Sequence, residues 1–133
     1  PQQKAWWFKT SEEGLHNADI LQGKEVSYNN ILDLQAAIST VRLFDDPAAV
    51  AIKHNNPCGV ASDDKPFRAL EKALKADPVS VFGGIIAVNF SIGEVEATLL
   101  NKTFLECIIA PEIRPEALAI FAQKKNLRVL SWS

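Results

Sequence analysis

Lys53, His54, Asn55 and Asn56 stand in an unbroken row directly behind the apolar run Ala48 to Ile52. A histidine in such a place can carry a proton near neutral pH, because its unperturbed pKa is about 6.5. A lysine beside it brings a positive charge suited to a developing oxyanion, a carboxylate or a phosphate. Adjacent strand residues point to opposite faces, so both can serve one substrate only where the chain has left strand geometry. Asn55-Asn56-Pro57 supplies that exit. A capped strand end, with the lysine solvated and the histidine in a local hydrogen bond, accounts for the same residues equally well.

Two other places could do chemistry. Gly83-Gly84 interrupts an apolar stretch, which favours a bulge or close backbone packing over a ligand contact, although a bare backbone also admits a flat ring or a phosphate. Glu106, between Leu105 and Cys107, needs a partner if buried. A solvent-facing strand edge and a contact to ligand hydroxyls or amines fit it equally. Pro57-Cys58 looks like half of a zinc deaminase signature, but the second cysteine and the His-x-Glu element are missing. Three protein ligands for a catalytic zinc are not offered, so no metal site is expected. A thiol nucleophile at Cys58 would need His54 as its base. No P-loop and no Gly-x-Gly-x-x-Gly occur, and Trp6 and Trp7 suit packing better than stacking on a ligand.

The elements that must hold these residues follow from periodicity. Trp6, Trp7 and Phe8 suggest a strand within the first ten residues, and residues 11–19 a loop. Leu34, Ala37, Ile38 and Val41 share one helical face, with Asn30 expected as N-cap, Asp33 in the first turn and Asp45-Asp46-Pro47 as the stop. Ala48 to Ile52 reads as a strand buried on both faces, and residues 55–59 as a turn. Pro66 opens a helix carrying Phe67, Leu70 and Leu74, which Asp77-Pro78 closes. Val79 to Val88 reads as a strand. Ile92, Val95 and Leu99 mark a helix, Leu105 to Ala110 a strand, Pro115 to Phe121 a helix with Leu118 inward, and Leu127 to Leu130 a last strand. Strands alternating with amphipathic helices predict an α/β fold with a mixed, largely parallel sheet covered by helices.

The 133 residues suit one domain with a real core. Hydrophobic residues at 47% and charged residues at 23% match ordinary globular usage. A net charge of -2, from 14 basic and 16 acidic side chains, gives no footprint for nucleic acid or anionic lipid. No apolar run reaches the roughly 18 residues of a membrane span. Cys58 and Cys107, with no secretory signal ahead of them, read as free thiols in a reducing, cytoplasmic setting. The start at Pro1 and the lack of any methionine suggest an excised or processed segment.

Several ordered blocks resemble the aminoimidazolecarboxamide ribonucleotide (AICAR) transformylase family: Gln22-Gly23-Lys24-Glu25-Val26-Ser27-Tyr28-Asn29-Asn30, Lys53-His54-Asn55-Asn56-Pro57-Cys58-Gly59-Val60 and Asp77-Pro78-Val79-Ser80-Val81-Phe82-Gly83-Gly84. Ile108-Ile109-Ala110-Pro111, Pro115-Glu116-Ala117-Leu118 and Lys124-Lys125-Asn126-Leu127 continue the likeness in order. The resemblance implies a bifunctional enzyme with a cyclohydrolase ahead of the transformylase. It also implies two transformylase subdomains of cytidine deaminase-like fold without zinc, residues 1–133 being the first. The implied reaction passes a formyl group from 10-formyltetrahydrofolate, the co-substrate, to the 5-amino group of AICAR. By the same resemblance His54 is the general base on the attacking amine, and Lys53 stabilises the oxyanion or the departing nitrogen. The resemblance also implies that Gly83, Glu106 and Asn55 contact the nucleotide. At position 106 the family commonly has Asp, one methylene shorter.

The resemblance further implies an active site assembled across a homodimer. It places an Arg-Tyr pair just ahead of Pro1 and a second subdomain beyond this chain, so the segment alone is expected to be inactive. The contrasting reading is a non-catalytic nucleotide-binding or assembly module on the same fold. A deaminase would instead hold zinc.

Overall fold

The computed structural model describes residues 18–23 and 25–132; the proposed strand near Trp6 and nearly all of the 11–19 loop lie outside them. Eleven elements follow in order. They are β1 (Asp19–Gln22), α1 (Tyr28–Val41), β2 (Ala48–Lys53), β3 (Asn56–Ser62), α2 (Pro66–Ala76), α3 (Pro78–Val81), β4 (Gly84–Val88), α4 (Glu94–Leu100), β5 (Leu105–Ala110), α5 (Pro115–Phe121) and β6 (Arg128–Ser131). The six strands form one sheet in the order β1-β6-β5-β4-β2-β3.

Period-two alternation along the strands splits the core into two layers. Ala49 and Ala51 of β2, Ile86 and Val88 of β4, and Ile108 and Ala110 of β5 pack with Leu70 and Ala73 of α2, Leu100 of α4 and Phe121 of α5. The intervening residues, among them Val50, Ile52, Ile85, Ala87 and Ile109, pack with Ile31, Leu34, Ala37, Ile38 and Val41 of α1. Helix α1 therefore covers one face, and α2, α4 and α5, joined by Val81 of α3, cover the other, an α/β arrangement with β4 buried along its whole length.

The sheet is mixed, as expected, but its parallel share is smaller than expected. Among the named strands of the described residues, β4–β5 and β5–β6 pair in parallel, whereas β1–β6, β2–β3 and β2–β4 are antiparallel. The cause is local. Lys53 pairs with Asn56, so a two-residue turn, His54-Asn55, joins β2 to β3, and so short a link can join only antiparallel strands.

The same hairpin corrects the turn expected over residues 55–59, because β3 begins at Asn56 and runs through Pro57 and Gly59. Proline is tolerated since β3 is an edge strand. Between Ala51↔Gly59 and Ile52↔Pro57 the register shifts, leaving Cys58 as the extra residue of a bulge. Helix α1 is capped by Ser27, whose hydroxyl accepts from the Asn30 N–H at 3.2 Å. Asn30 is thus not the N-cap, and Asp33 lies beyond the first turn, buried.

The stretch expected as one strand from Val79 divides in two. Asp77 caps the short α3 by accepting from Ser80 N, Pro78 fits its first turn, and the strand starts only at Gly84. In α4 the buried residues are Ala97 and Leu100, with Val95 60% exposed. Ile92 is instead buried ahead of the helix, bridged to Ile113. In α5 Ala117 joins Phe121 inside while Leu118 is partly covered. β5 matches its expected range, and β6 begins one residue later than expected.

Gly59 fits where β3 crosses α2: a Cβ there would collide with the main-chain carbonyl of Ala73. Backbone cannot swing aside as a flexible side chain can. Gly59→Ala is therefore expected to cost about 1–3 kcal/mol, read as a lower urea midpoint; an unchanged midpoint would contradict this packing.

Candidate functional site

A cavity of about 420 Å³ opens at the end of β2 and is lined by Ser27, Asn29, Asn30, Asp33, Lys53, His54, Asn55, Gly83, Gly84, Ile85 and Glu106. That volume suits a small-molecule ligand. Lys53, His54, Asn55, Gly83, Gly84 and Glu106, all singled out from the sequence, border this one space, whereas Asn56 and Cys58 do not line it. Three segments bring them there, the end of β2 with the β2–β3 turn, the start of β4 and the start of β5, and the amino end of α1 closes the space with Ser27, Asn29, Asn30 and Asp33.

The cavity is not at the carboxyl ends of a parallel sheet. It lies at the carboxyl end of β2, which antiparallel pairing sets beside the amino end of β4 through Ile52↔Ile85. Parallel pairing of Gly84 with Leu105 then adds the amino end of β5. Mixed strand direction is what makes this particular set of residues neighbours.

The β2–β3 turn is unusual in its backbone. His54 has φ 54° and Asn55 φ 66°, so both central residues are left-handed, as a type I′ hairpin requires. Both side chains are exposed, which keeps the imidazole open to a ligand. Asn55 N–H donates to Asp33 Oδ1 at 2.8 Å. Lys53, half-buried, donates from Nζ to the Phe82 carbonyl at 2.6 Å. This contact holds the ammonium beside Gly83, where a Cβ would come within 3.7 Å of it.

Gly83 and Gly84 serve different needs. Gly83 has φ 80°, a region that favours glycine, and its N–H donates to Phe104 O at 2.8 Å. At Gly84 a Cβ would stand 2.9 Å from Ile52 O and 3.0 Å from Val81 O. The close packing expected of this pair belongs to Gly84, while Gly83 leaves its bare backbone at the cavity. Glu106 is half-exposed, 3.7 Å from the Arg128 guanidinium, so its carboxylate is neither orphaned nor fully occupied.

Asp33, Ser27, Asn29 and Asn30 line the cavity too, and no motif in the sequence marks them as site residues. The usable signal was a carboxylate among the apolar positions of the α1 face, because a charge in that stripe must have a specific partner.

The sequence model of the AICARFT/IMPCHase bienzyme family matches residues 1–133. Among curated relatives, a bifunctional purine biosynthesis protein PurH of Acaryochloris marina is 51% identical over 98% of this chain and 26% of its own length. The PurH of Synechococcus elongatus is 52% identical over the same shares. The chain thus spans about a quarter of the length of these relatives. Among solved structures, a dCMP deaminase from the cyanophage S-TIM5 aligns with 77% of this chain and 98% of its own at TM-score 0.58 and 13% identity. Acinetobacter baumannii RibD aligns with 76% of this chain and 34% of its own at TM-score 0.51 and 12% identity. These two likenesses show the cytidine deaminase-like fold.

Among the described residues no group of three or more His, Cys, Asp or Glu stands together as a metal site. Neither thiol is poised as a nucleophile. Burial, and then the Asp77 charge, push the Cys58 thiol up, and burial pushes Cys107 up to about 12. The thiolate is the reactive form, and a raised pKa keeps both groups protonated at neutral pH. Iodoacetamide at pH 8 is therefore expected to label Cys58 more slowly than a free thiol and Cys107 only after unfolding. Mass spectrometry of the adducts reads this, and rapid native labelling of Cys107 would contradict its burial.

Proposed function

This chain belongs to the AICARFT/IMPCHase bienzyme family, and from that premise we propose that residues 1–133 form the first transformylase subdomain of a larger purine-biosynthesis enzyme. The reaction is transfer of a formyl group from 10-formyltetrahydrofolate to the 5-amino group of AICAR. The observation that carries the reading is the single cavity bordered by Lys53, His54, Asn55, Gly83 and Glu106.

The chemistry fits these side chains. The attacking amine is weak because its lone pair is delocalised into the imidazole ring, so removing its proton during attack accelerates the step. His54 takes that proton as the new C–N bond forms at the formyl carbon. Lys53, held by the Phe82 carbonyl, faces the negative charge that gathers on the formyl oxygen. The tetrahedral adduct then breaks its bond to the folate nitrogen, which leaves carrying the proton that His54 had taken from the amine. Glu106 accepts from ligand hydroxyls, with Arg128 as its counter-charge in the free state. The amino end of the 14-residue α1 lines the same space and favours the anionic side of a nucleotide.

The reading includes a cytoplasmic, homodimeric parent enzyme and a site completed by groups outside this chain. In support, the curated relatives are bifunctional purine-biosynthesis proteins about four times as long. Among the described residues no helix is long and apolar enough to cross a membrane.

In the complete enzyme carrying this segment, His54→Ala is expected to lower formyl transfer about 10²–10⁴-fold and leave cyclohydrolase activity unchanged. Loss of cyclohydrolase activity with formyl transfer intact would assign the segment to the other half of the bienzyme. Calorimetry of AICAR with the 133-residue chain is expected to show binding weakened by Lys53→Ala. Binding without turnover in the complete enzyme would instead favour a nucleotide-binding module.

A further inference from the structure

We propose that Asp33 is a positioning residue for His54: its carboxylate holds the His54-Asn55 turn in the left-handed conformation and so fixes where the imidazole meets the cavity. The inference deepens the transformylase reading, and rests on it for the reaction by which the effect on His54 is measured.

Asp33 is the one polar or charged side chain buried among the described residues, 7% exposed. It sits on the α1 face that carries Leu34, Ala37 and Ile38 into the core. A carboxylate is costly to bury without a partner, so its presence on this face calls for a specific return. The Asn55 N–H, 22 residues further along the chain, provides it at 2.8 Å. An amide donating to a carboxylate makes a charge-assisted bond, stronger than a neutral one.

The turn needs such a hold. Its two central residues must both adopt positive φ, yet neither is glycine, and among the described residues they are the only non-glycines with positive φ. Histidine and asparagine tolerate that region better than most residues but still prefer others. The β2–β3 ladder ends at the Lys53↔Asn56 pair, which leaves the Asn55 N–H outside it. Within the turn, Asn56 Nδ2 donates to the His54 carbonyl at 3.2 Å, an exposed neutral bond. The clamp from α1 is the stronger constraint, and it acts on the residue adjoining His54.

Asp33 also borders the cavity, so contact with a ligand is the competing role. Asn55→Gly separates the two, because glycine takes positive φ without help. A positioning carboxylate becomes less necessary in that background, whereas a ligand-binding carboxylate does not.

The first measurement is NMR on the 133-residue chain, without substrate. Asp33→Leu should speed exchange of the Asn55 amide about tenfold or more and shift the φ-dependent couplings of His54 and Asn55, while Asp33→Asn, which keeps an acceptor oxygen, should preserve both. Asp33→Ala carries the same test if Asp33→Leu does not fold. The second is kinetics of the complete enzyme. Asp33→Leu should lower kcat about a hundredfold with much smaller change in KM, and in the Asn55→Gly background it should cost less than about tenfold. Unchanged Asn55 exchange, or an equal loss in both backgrounds, overturns the proposal. Absence of formyl transfer with the unaltered segment sinks the transformylase reading alone, and the exchange data then decide the clamp.

Discussion

The architecture depends on strands buried on both faces. β2 from Ala48 to Ile52, all of β4 and β5 from Cys107 to Ala110 are closed off from solvent by α1 on one side and by α2, α4 and α5 on the other. No ionisable side chain can be carried there at acceptable cost unless it is paired or kept neutral. Lys53, His54 and Glu106 therefore stand at or near strand ends, and polar function is confined to the rim. Cys107 obeys the same limit: buried in the centre of the sheet, it stays a neutral thiol.

A rim site requires that different ends of the strands meet. In a wholly parallel sheet the carboxyl end of β2 would lie beside other carboxyl ends, and neither Gly83 nor Glu106 would be near His54. The tight turn after Lys53 and the antiparallel β2–β4 pairing change that, bringing a carboxyl end against two amino ends. The bulge at Cys58 then lets β3 leave the turn as an edge strand with Pro57 in it. Sheet direction and site composition are one fact.

What the sequence made legible follows from this division. Strands such as β5 were readable because full burial leaves an unbroken apolar run, and α1 because its stripe is wide and regular. Short elements were not. α4 is seven residues long and buries Ala97 and Leu100, too few positions to fix a face, so Val95 looked inward when it is exposed. β3 was hidden by Pro57 and Gly59, whose ordinary meaning as turn residues is overridden at a sheet edge. The candidate site residues are legible as types at strand ends, but their convergence in one cavity depends on strand pairings such as Ile52↔Ile85 and Gly84↔Leu105, which no local pattern encodes. Asp33 reads in the sequence as a first-turn acid, because its partner Asn55 is close only in space.

The deaminase-like scaffold sharpens what is particular here. At 12–13% identity the likeness is one of fold alone, and a fold of this kind does not choose a reaction. The choice lies with polar ties around the rim. Arg128 Nε donates to the Glu25 carbonyl at 2.9 Å while its guanidinium faces Glu106 at 3.7 Å. Gln22 Nε2 reaches the carbonyls of Phe121, Lys124 and Leu127 at 2.9–3.1 Å, fastening β1 to the link between α5 and β6. These ties fasten the segment that leads into α1, whose amino end brings Ser27, Asn29 and Asn30 to the cavity. The apolar layers fix where the strands end; a few long-range hydrogen bonds then decide which side chains share the space beyond them.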